Sequence, residues 1–591
     1  MSLNYTNKIN LVLNNVIDPV AQRNADRWLT SNISESDKLI IQNWMVNEPK
    51  VFNNAFYKNL EFGTGGLRGV MQLGSNGINK YTLGLASQGL SDYLSSENKE
   101  NREKLRIAIA YDSRHRSQEF ALEIAKVFSA NNIDVFIFSE LRPTPILSFS
   151  VRDLFCDAGI VITASHNPKE YNGFKVYLSD GGQIIPPHDK DIIHRIQNTQ
   201  ITDIKWSGGT GLIKEIKDEI DKKYLQEVKN LSFRDQSHSD LKIVFTALHG
   251  TSITLLPKAL KHIGFQSVEI IESQAIPDGN FPTIISPNPE EQEALSIALK
   301  RAKEINADIV IGCDPDADRV GIAVKNNFDE IILLNGNQTA AVLFNFILNQ
   351  RQSQGSLPSN AFTASTIVTS TILDNIAKSY NVDNLVTLTG FKWIADLINK
   401  NVEREFIIGG EESYGYLIAD FVRDKDAISA SALLAEAASY FKEGGTSFYE
   451  ELLKLYSKFG THLDSLLSIV KKGKKGDEEI REIMLKLRNK TPKKLGSYKV
   501  NKILDYQLSQ TKNIISGELT DIKLPKSNVL QFIMENNDRI TVRPSGTEPK
   551  IKYYFNVIGE PVKLQDKNSY NIIAERLIER IENYKTSISN F

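Results

Sequence analysis

The sequence predicts an α/β protein with a smaller α+β domain at its C-terminal end. Three observations predict it: short apolar runs end in polar turns that carry glycine or aspartate, helix-like segments lie between those runs, and the pattern changes beyond about residue 455. In open α/β sheets ligands sit at the carboxyl ends of strands. The unusual turns fall at those ends.

Residues 1–50 read as helical and are expected to wrap the first module. The runs LRIAIAYDSR (105–114), DVFIFSELRPTP (134–145), AGIVITASHNP (158–168), LKIVFTALHG (241–250) and ADIVIGCDPDADR (307–319) lack alternation. They fit strands buried on both faces, as in parallel sheets. SQEFALEIAKVFSANN (117–132), LLPKALKHIG (255–264) and EEQEALSIALKRAKEIN (290–306) read as the intervening helices. The likeness of LRIAIAYD to LKIVFTAL hints at repeated modules. Residues 465–515, rich in Lys, Asn and Ser, carry weaker strand signals. VLQFIMENNDRITVRPSGTEPKIKYYFNVIG (529–559) alternates like antiparallel strands, and NIIAERLIERIENY (571–584) reads as an amphipathic helix.

A chain of 591 residues suggests roughly four domains. Its 41% apolar and 24% charged residues are ordinary for soluble globular protein. A net charge of -2 argues against a nucleic-acid binder, and the local run KKGKKGD (471–477) reads as a solvated linker or helix end. Two cysteines, Cys156 and Cys313, make neither a disulfide framework nor a zinc site, and both are expected to be buried thiols. Neither a signal peptide nor an 18-residue apolar span is legible, so the expected location is the cytoplasm, with no membrane partner.

Four stretches carry chemistry. TASHNP (163–168) puts Ser165 and His166 in a tight turn after a buried strand, where a hydroxyl needs activation to react. CDPDADR (313–319) repeats a carboxylate every second residue, Asp314, Asp316 and Asp318, a hard-oxygen set suited to Mg²⁺. An EF-hand is excluded, because Arg319 stands where that loop needs glycine and Lys325 where it needs glutamate. GGEESYG (409–415) offers Glu411, Glu412 and Ser413 to vicinal hydroxyls. RPSGTEPK (543–550) gathers Arg543, Ser545, Gly546, Thr547 and Lys550 as a phosphate clamp. No Walker pattern occurs. Read alone, the last two stretches are better explained as ordinary turns. FGTGGLRG (62–69) adds Arg68 in a glycine-rich arm. NGFKVY (172–177) and TGFKW (389–393) add Lys175 and Lys392, either of which would act as a base if burial and neighbouring cations lowered its pKa.

TASHNP, DPDADR, GEES and RPSGTEPK, in that order, resemble the α-D-phosphohexomutase superfamily of phosphoglucomutases and phosphomannomutases, in its longer branch. The resemblance runs from FGTGGLRG to the C-terminal helix. It implies three related α/β domains with mixed sheets (1–210, 211–327 and 328–455) and a smaller α+β domain (456–591) around a central cleft. It implies a phosphoserine at Ser165 and Mg²⁺ held by Asp314, Asp316, Asp318 and a phosphoserine oxygen. Sugar phosphate would be held by Arg319, Glu411, Ser413, Arg543, Ser545, Gly546 and Thr547. Arg68, His166, Lys175 and Lys392 would lie near the reacting groups, with the lysines as acid/base candidates. The implied activity is interconversion of glucose 1-phosphate and glucose 6-phosphate, with glucose 1,6-bisphosphate as activator, by a monomer or homodimer. Mannose and pentose phosphates rank second and third, because the loop reads GEES. A non-catalytic phosphosugar binder is the rival, and the C-terminal domain is expected to be the mobile lid.

Overall fold

The computed structural model describes residues 17–63, 66–98, 104–234, 240–471, 473–545 and 550–589. Four sheets organise the chain. The first runs Phe62–Gly63, Gly66–Val70, Tyr171–Leu178, Ala158–Ile162, Arg106–Tyr111, Asp134–Phe138 and Ile213–Ile216. The second runs Ile331–Leu333, Val320–Lys325, Ile309–Cys313, Ile243–Thr246 and Val268–Ile270. The third runs Asp383–Thr387, Phe362–Thr366, Phe406–Gly410 and Tyr416–Ile418. Helices pack on these sheets, as strand–helix alternation requires.

Each of these three sheets repeats one device. A buried strand of the parallel set ends in one of the turns singled out in the sequence, and the chain returns as an antiparallel neighbour. Ala158–Ile162 returns as Tyr171–Leu178, Ile309–Cys313 as Val320–Lys325, and Phe406–Gly410 as Tyr416–Ile418. The five apolar runs read from the sequence form strands with parallel partners, as expected, but burial alone does not imply that direction. Val320–Lys325 is antiparallel yet buried along nearly its whole length.

The fourth sheet is antiparallel throughout. Thr461–Val470 pairs with Lys550–Gly559, followed by Arg539–Pro544, Leu530–Met534, Tyr498–Asp505, Gln510–Asn513 and Leu519–Asp521. Its helices are Gly473–Asn489, which begins within the basic run, and Ser569–Ser589. Thr461–Val470 was hidden in the sequence because its outer half alternates between exposed and half-buried positions.

Three expectations shift. The helix expected from 290 spans Ser296–Ile305, because residues 290–295 form turns and Glu290 is engaged by Arg319. Ile213–Ile216 belongs to the first sheet although it lies past residue 210, and the helix Phe448–Phe459 crosses residue 455. The N-terminal helices Pro19–Leu29, Glu35–Asn47 and Pro49–Phe56 pack on Tyr81, Val127, Ile201 and Ile204 of the first unit, as expected for the part that is described. Both cysteines are buried, and burial pushes each thiol up to about 12. Among the described residues no helix is long and apolar enough to cross a membrane.

Glu436, fully buried in the helix Ala427–Glu443, accepts the Phe233 N–H at 2.9 Å. Burial raises its carboxyl from 4.5 to about 7. The folded state therefore keeps a proton that the unfolded chain has released, and stability falls as pH rises from 4.5 through 7. Glu436→Gln is expected to flatten the fall in melting temperature between about pH 5.5 and 8, with a gain of about 1–2 kcal/mol at the upper end. Equal pH slopes in the two proteins would contradict it.

Candidate active site

Ser165 sits in the turn after Ala158–Ile162 with φ +53°, a left-handed conformation that costs a non-glycine residue energy. The turn is held from both sides. Thr163 Oγ1 accepts the Ser165 N–H at 2.8 Å. The Arg114 guanidinium donates to the Ser165, Pro168 and Tyr171 carbonyls at 2.6, 2.8 and 3.1 Å, and also to that of Asn167. Arg114 is itself buried, beside Asp112 at 3.4 Å and over the Phe281 ring of the second unit. The fixed backbone aims the side chain across the domain boundary. Ser165 Oγ donates to Asp314 Oδ2 at 2.8 Å and lies 3.2 Å from His166 Nδ1. Burial, then Arg319 and Arg68, hold His166 well below its ordinary value, as a neutral imidazole.

Asp314, Asp316 and Asp318 follow the strand Ile309–Cys313, and Ala317 between them has φ +52°. All three are at most 2% exposed, and one carboxylate oxygen from each lies within 4.8 Å of the others, so together they could hold a metal ion. Asp314 Oδ1 accepts the N–H groups of Asp318 and Arg319 at 3.1 and 3.0 Å. Asp316 Oδ2 accepts from Lys175 at 2.6 Å and from Thr144 at 2.8 Å. Asp318 Oδ2 accepts from Lys175 at 2.9 Å, with Lys425 Nζ at 3.3 Å. Asp316 Oδ1 and Asp318 Oδ1 are buried without a hydrogen-bond partner. Orphaned carboxylate oxygens of this kind fit a hard divalent cation. Burial, and then Asp316 and Asp318, push Asp314 well above the usual carboxylate range. Burial also works against Asp318, but Lys175, Lys425 and Arg319 hold it well below.

The sugar-loop candidates face this centre. Glu411 is 4% exposed, and its Oε1 accepts the Gly390 N–H at 2.8 Å. Burial raises it, against the pull of Lys425. Burial and then Glu411 raise Glu412 to about 7. Ser413 is half-buried at the tip, and Tyr414, at φ +63°, accepts the Val320 N–H at 3.0 Å, which ties this loop to the strand leaving the aspartates. Arg319 pairs with Glu290 at 2.6 Å. Burial would weaken its hold on the proton, but Glu290, Asp318, Asp314 and Glu411 more than reverse this.

Arg543 and Ser545 lie at the end of Arg539–Pro544, and the Ser545 N–H donates to the Lys550 carbonyl at 2.7 Å. Gly546 and Thr547 lie outside the described residues. Lys552, the register partner of Arg543, is pulled down by burial and Arg543 and lies within electrostatic reach of Glu412 and Arg319.

Arg68 is exposed on the strand Gly66–Val70, within electrostatic reach of His166 and Lys175. That arm needs Gly66 at φ +123°, where a Cβ would lie 2.0 Å from the Phe174 carbonyl oxygen. The two lysines differ. Burial alone would lower Lys175, but Asp316 and Asp318 raise it above the ordinary lysine value, which corrects the expectation of a loosened proton there. Burial does lower Lys392. Its ammonium lies 3.5 Å from the Ile184 carbonyl and borders a cavity of about 570 Å³ between the first and third units, lined also by Tyr93, Asp180 and His188.

Sequence reasoning missed Arg114, Thr144, Glu290, Lys425 and Lys552. Arg114 alone had a signal, because YDSR closes a buried strand just as TASHNP does.

Residues 59–202, 222–327 and 335–459 match, in order, domains I, II and III of the family described as phosphoglucomutase/phosphomannomutase, alpha/beta/alpha. A phosphoglucomutase of Staphylococcus epidermidis is 37% identical over 530 residues, 89% of this chain and 94% of its own. One of Staphylococcus aureus is 38% identical over 507 residues, 85% and 90% of the two chains. The fold is shared with a putative phosphomannomutase from Thermus thermophilus (TM-score 0.64, 20% identity, covering 88% of this chain and 99% of that one). It is shared also with the open form of parafusin, a phosphoglucomutase from Paramecium (TM-score 0.63, 18% identity, 90% and 96%).

Proposed function

Because the chain belongs to the phosphoglucomutase/phosphomannomutase family, we propose that it interconverts α-D-glucose 1-phosphate and glucose 6-phosphate through a phosphoserine at Ser165 and a glucose 1,6-bisphosphate intermediate. The observation that carries this reading is the Ser165 hydroxyl, fixed in a strained turn and delivered at 2.8 Å to a buried aspartate of another unit.

Phosphorylated Ser165 gives its phosphoryl group to the free hydroxyl of a bound sugar monophosphate, and the hydroxyl proton passes to a base. The bisphosphate turns over in the cleft. Its other phosphoryl group then returns to the Ser165 oxygen, and the sugar oxygen left behind takes a proton back from the acid form of a base, which yields the isomeric monophosphate. Such transfer depends mostly on positioning and charge stabilisation. Asp314, Asp316 and Asp318 would hold Mg²⁺, which supplies neutralisation of phosphoryl charge. Lys175 compensates the aspartates, while Arg68 and Arg319 offer positive charge to phosphate. Glu411 and Ser413 would take sugar hydroxyls, and Arg543, Ser545, Gly546 and Thr547 the phosphate that is not reacting. The domain bearing the clamp is the candidate lid, because closure would keep water from the phosphoserine.

Lys392, whose proton is loosened by burial, is the candidate base. The pH profile of kcat/KM should therefore rise on a limb below the ordinary lysine range. Lys392→Met should remove that limb and lower kcat by roughly 10²–10⁴-fold. An unchanged limb in the variant would assign the base elsewhere.

The direct test supplies glucose 1-phosphate, Mg²⁺ and a trace of glucose 1,6-bisphosphate, and follows glucose 6-phosphate. Conversion stimulated by the bisphosphate is expected, and parallel runs with mannose and ribose 1-phosphates rank the sugars. Release of inorganic phosphate without isomerisation would mark a phosphatase instead. No turnover of any sugar by folded protein would favour the non-catalytic binder.

A further inference from the structure

Between the strand Tyr416–Ile418 and the helix Ala427–Glu443 lie four consecutive charged residues, Arg423 to Asp426, and the side chains of the last three, Asp424, Lys425 and Asp426, each reach into another unit. Tyr177 OH, of the first unit, donates to Asp424 Oδ2 at 2.8 Å. Tyr224 OH, of the helix Glu219–Asn230, donates to Asp426 at 2.7 Å. Asp426 also caps its own helix, accepting the N–H groups of Ile428 and Ser429 at 2.9 and 3.2 Å. The next residue, Ala427, donates its N–H to the Ala317 carbonyl inside the aspartate loop at 3.1 Å.

Lys425 takes the deepest path. Its stem passes over Gly415 of the sugar loop, where a Cβ would lie 2.1 Å from Lys425 Cδ and 2.8 Å from Cγ. Its ammonium, 5.5 Å from the centre of the Phe391 ring, stands 3.0 Å from Asp424 Oδ1 and 3.3 Å from Asp318 Oδ2. Glu411 is within electrostatic reach. One side chain thus pairs with a metal-ligand candidate while its stem packs against the sugar loop at Gly415, through a gap that only glycine leaves open. Asp318 Oδ2 is occupied by ammonium groups, while Oδ1 has no hydrogen-bond partner, its neighbouring cation being Arg319 Nε at 3.8 Å.

We propose, on the phosphoserine-mutase reading of the site, that Lys425 is a positioning residue of the phosphoryl-transfer centre. Threaded through the Gly415 gap, it holds Asp318 with Oδ1 free of hydrogen bonds and turned to the cation, fixes the sugar loop against the aspartate loop, and opposes the bound cation by one charge. Charge and position have separable consequences. Removing the ammonium removes a repulsion close to the cation, so the cation binds more tightly. It also frees the two loops from each other, so transfer slows.

The test uses full-length protein, with Mn²⁺ as the probe, titrated by the electron paramagnetic resonance of the free ion, alongside turnover of glucose 1-phosphate. Lys425→Met is expected to bind Mn²⁺ at least about fivefold more tightly and to lose at least about 30-fold in kcat. Lys425→Arg keeps the charge but widens the head, so Mn²⁺ affinity should return to within about twofold of the parent while kcat recovers only in part. Gly415→Ala displaces the stem with every charge retained. It should slow turnover, and combined with Lys425→Met it should add nothing further. A fold-only role predicts weaker or unchanged Mn²⁺ binding in the Met variant, and that result, or parental turnover, overturns the proposal. If Lys425→Met does not fold, parental turnover in Gly415→Ala overturns it instead. Failure of the parent protein to bind Mn²⁺ or to isomerise sugar phosphate would reject the mutase reading as a whole. Failure confined to the Lys425 and Gly415 variants rejects this assignment alone.

Discussion

Ser165→Ala is expected to abolish sugar-phosphate isomerisation, by about four orders of magnitude or more, in a protein that still folds. The size follows from chemistry: alanine has no oxygen to carry a phosphoryl group, and among the described residues no other hydroxyl donates to Asp314 Oδ2, which Ser165 Oγ reaches at 2.8 Å. Folding should survive because the turn is held through its backbone, by Thr163 on the amide and Arg114 on the carbonyls. Alanine at φ +53° is strained much as serine is, so the extra cost is about 1 kcal/mol or less. Intact mass after incubation with glucose 1,6-bisphosphate checks it independently. The parent should gain one phosphoryl group and the variant none. A variant turning over within tenfold of the parent would end the phosphoserine reading.

Asp314→Asn is expected to move activity and stability in opposite directions. Asp314 is buried, and Asp316 and Asp318 press it towards the neutral form. Asparagine relieves that repulsion while its oxygen still accepts the N–H groups of Asp318 and Arg319. Its amide would face the Ser165 hydroxyl, which can accept. The cation-free variant should therefore melt higher than the parent, by a margin worth about 1–2 kcal/mol. It should turn over at least about 10³-fold more slowly. Melting curves with and without Mg²⁺ separate the effects, since a ligand stabilises only the state that binds it. Mg²⁺ should raise the melting temperature of the parent and leave that of the variant nearly unchanged. An equal Mg²⁺-induced rise in both would remove Asp314 from the ligand set.

Much of this was legible because it is local. Apolar strands, the turns that end them and the charge pattern of DPDADR are written within a few residues of each other. Interactions set by distant neighbours were not legible. The sequence leaves open whether cations crowd Lys175 and loosen its proton, and the fold instead places Asp316 and Asp318 of another sheet against it. Lys425 reads as one charge in a polar run, and only the fold shows it threaded past Gly415 to Asp318. Glu290 reads as the start of a helix, whereas its carboxylate is taken by Arg319 and the helix begins at Ser296. Thr461–Val470 escaped notice because a strand with one wet face carries half the apolar signal.

The pairing of Thr461–Val470 with Lys550–Gly559 also bears on how the protein is made. As the chain leaves the ribosome, the first three sheets can close in turn from segments already synthesised. The strand 461–470 cannot, because its partner is translated only after residues 471–549. At about 5–20 residues per second, the nascent chain spends several seconds with that strand presented as a bare edge. An unpaired strand edge is a template for misassembly, and this one carries the exposed side chains of Leu466 and Val470. Chains cut short before residue 550 would keep the serine turn and the aspartates, and would display that edge permanently. Slow translation or nicking in the last part of the gene product should therefore register first as aggregation.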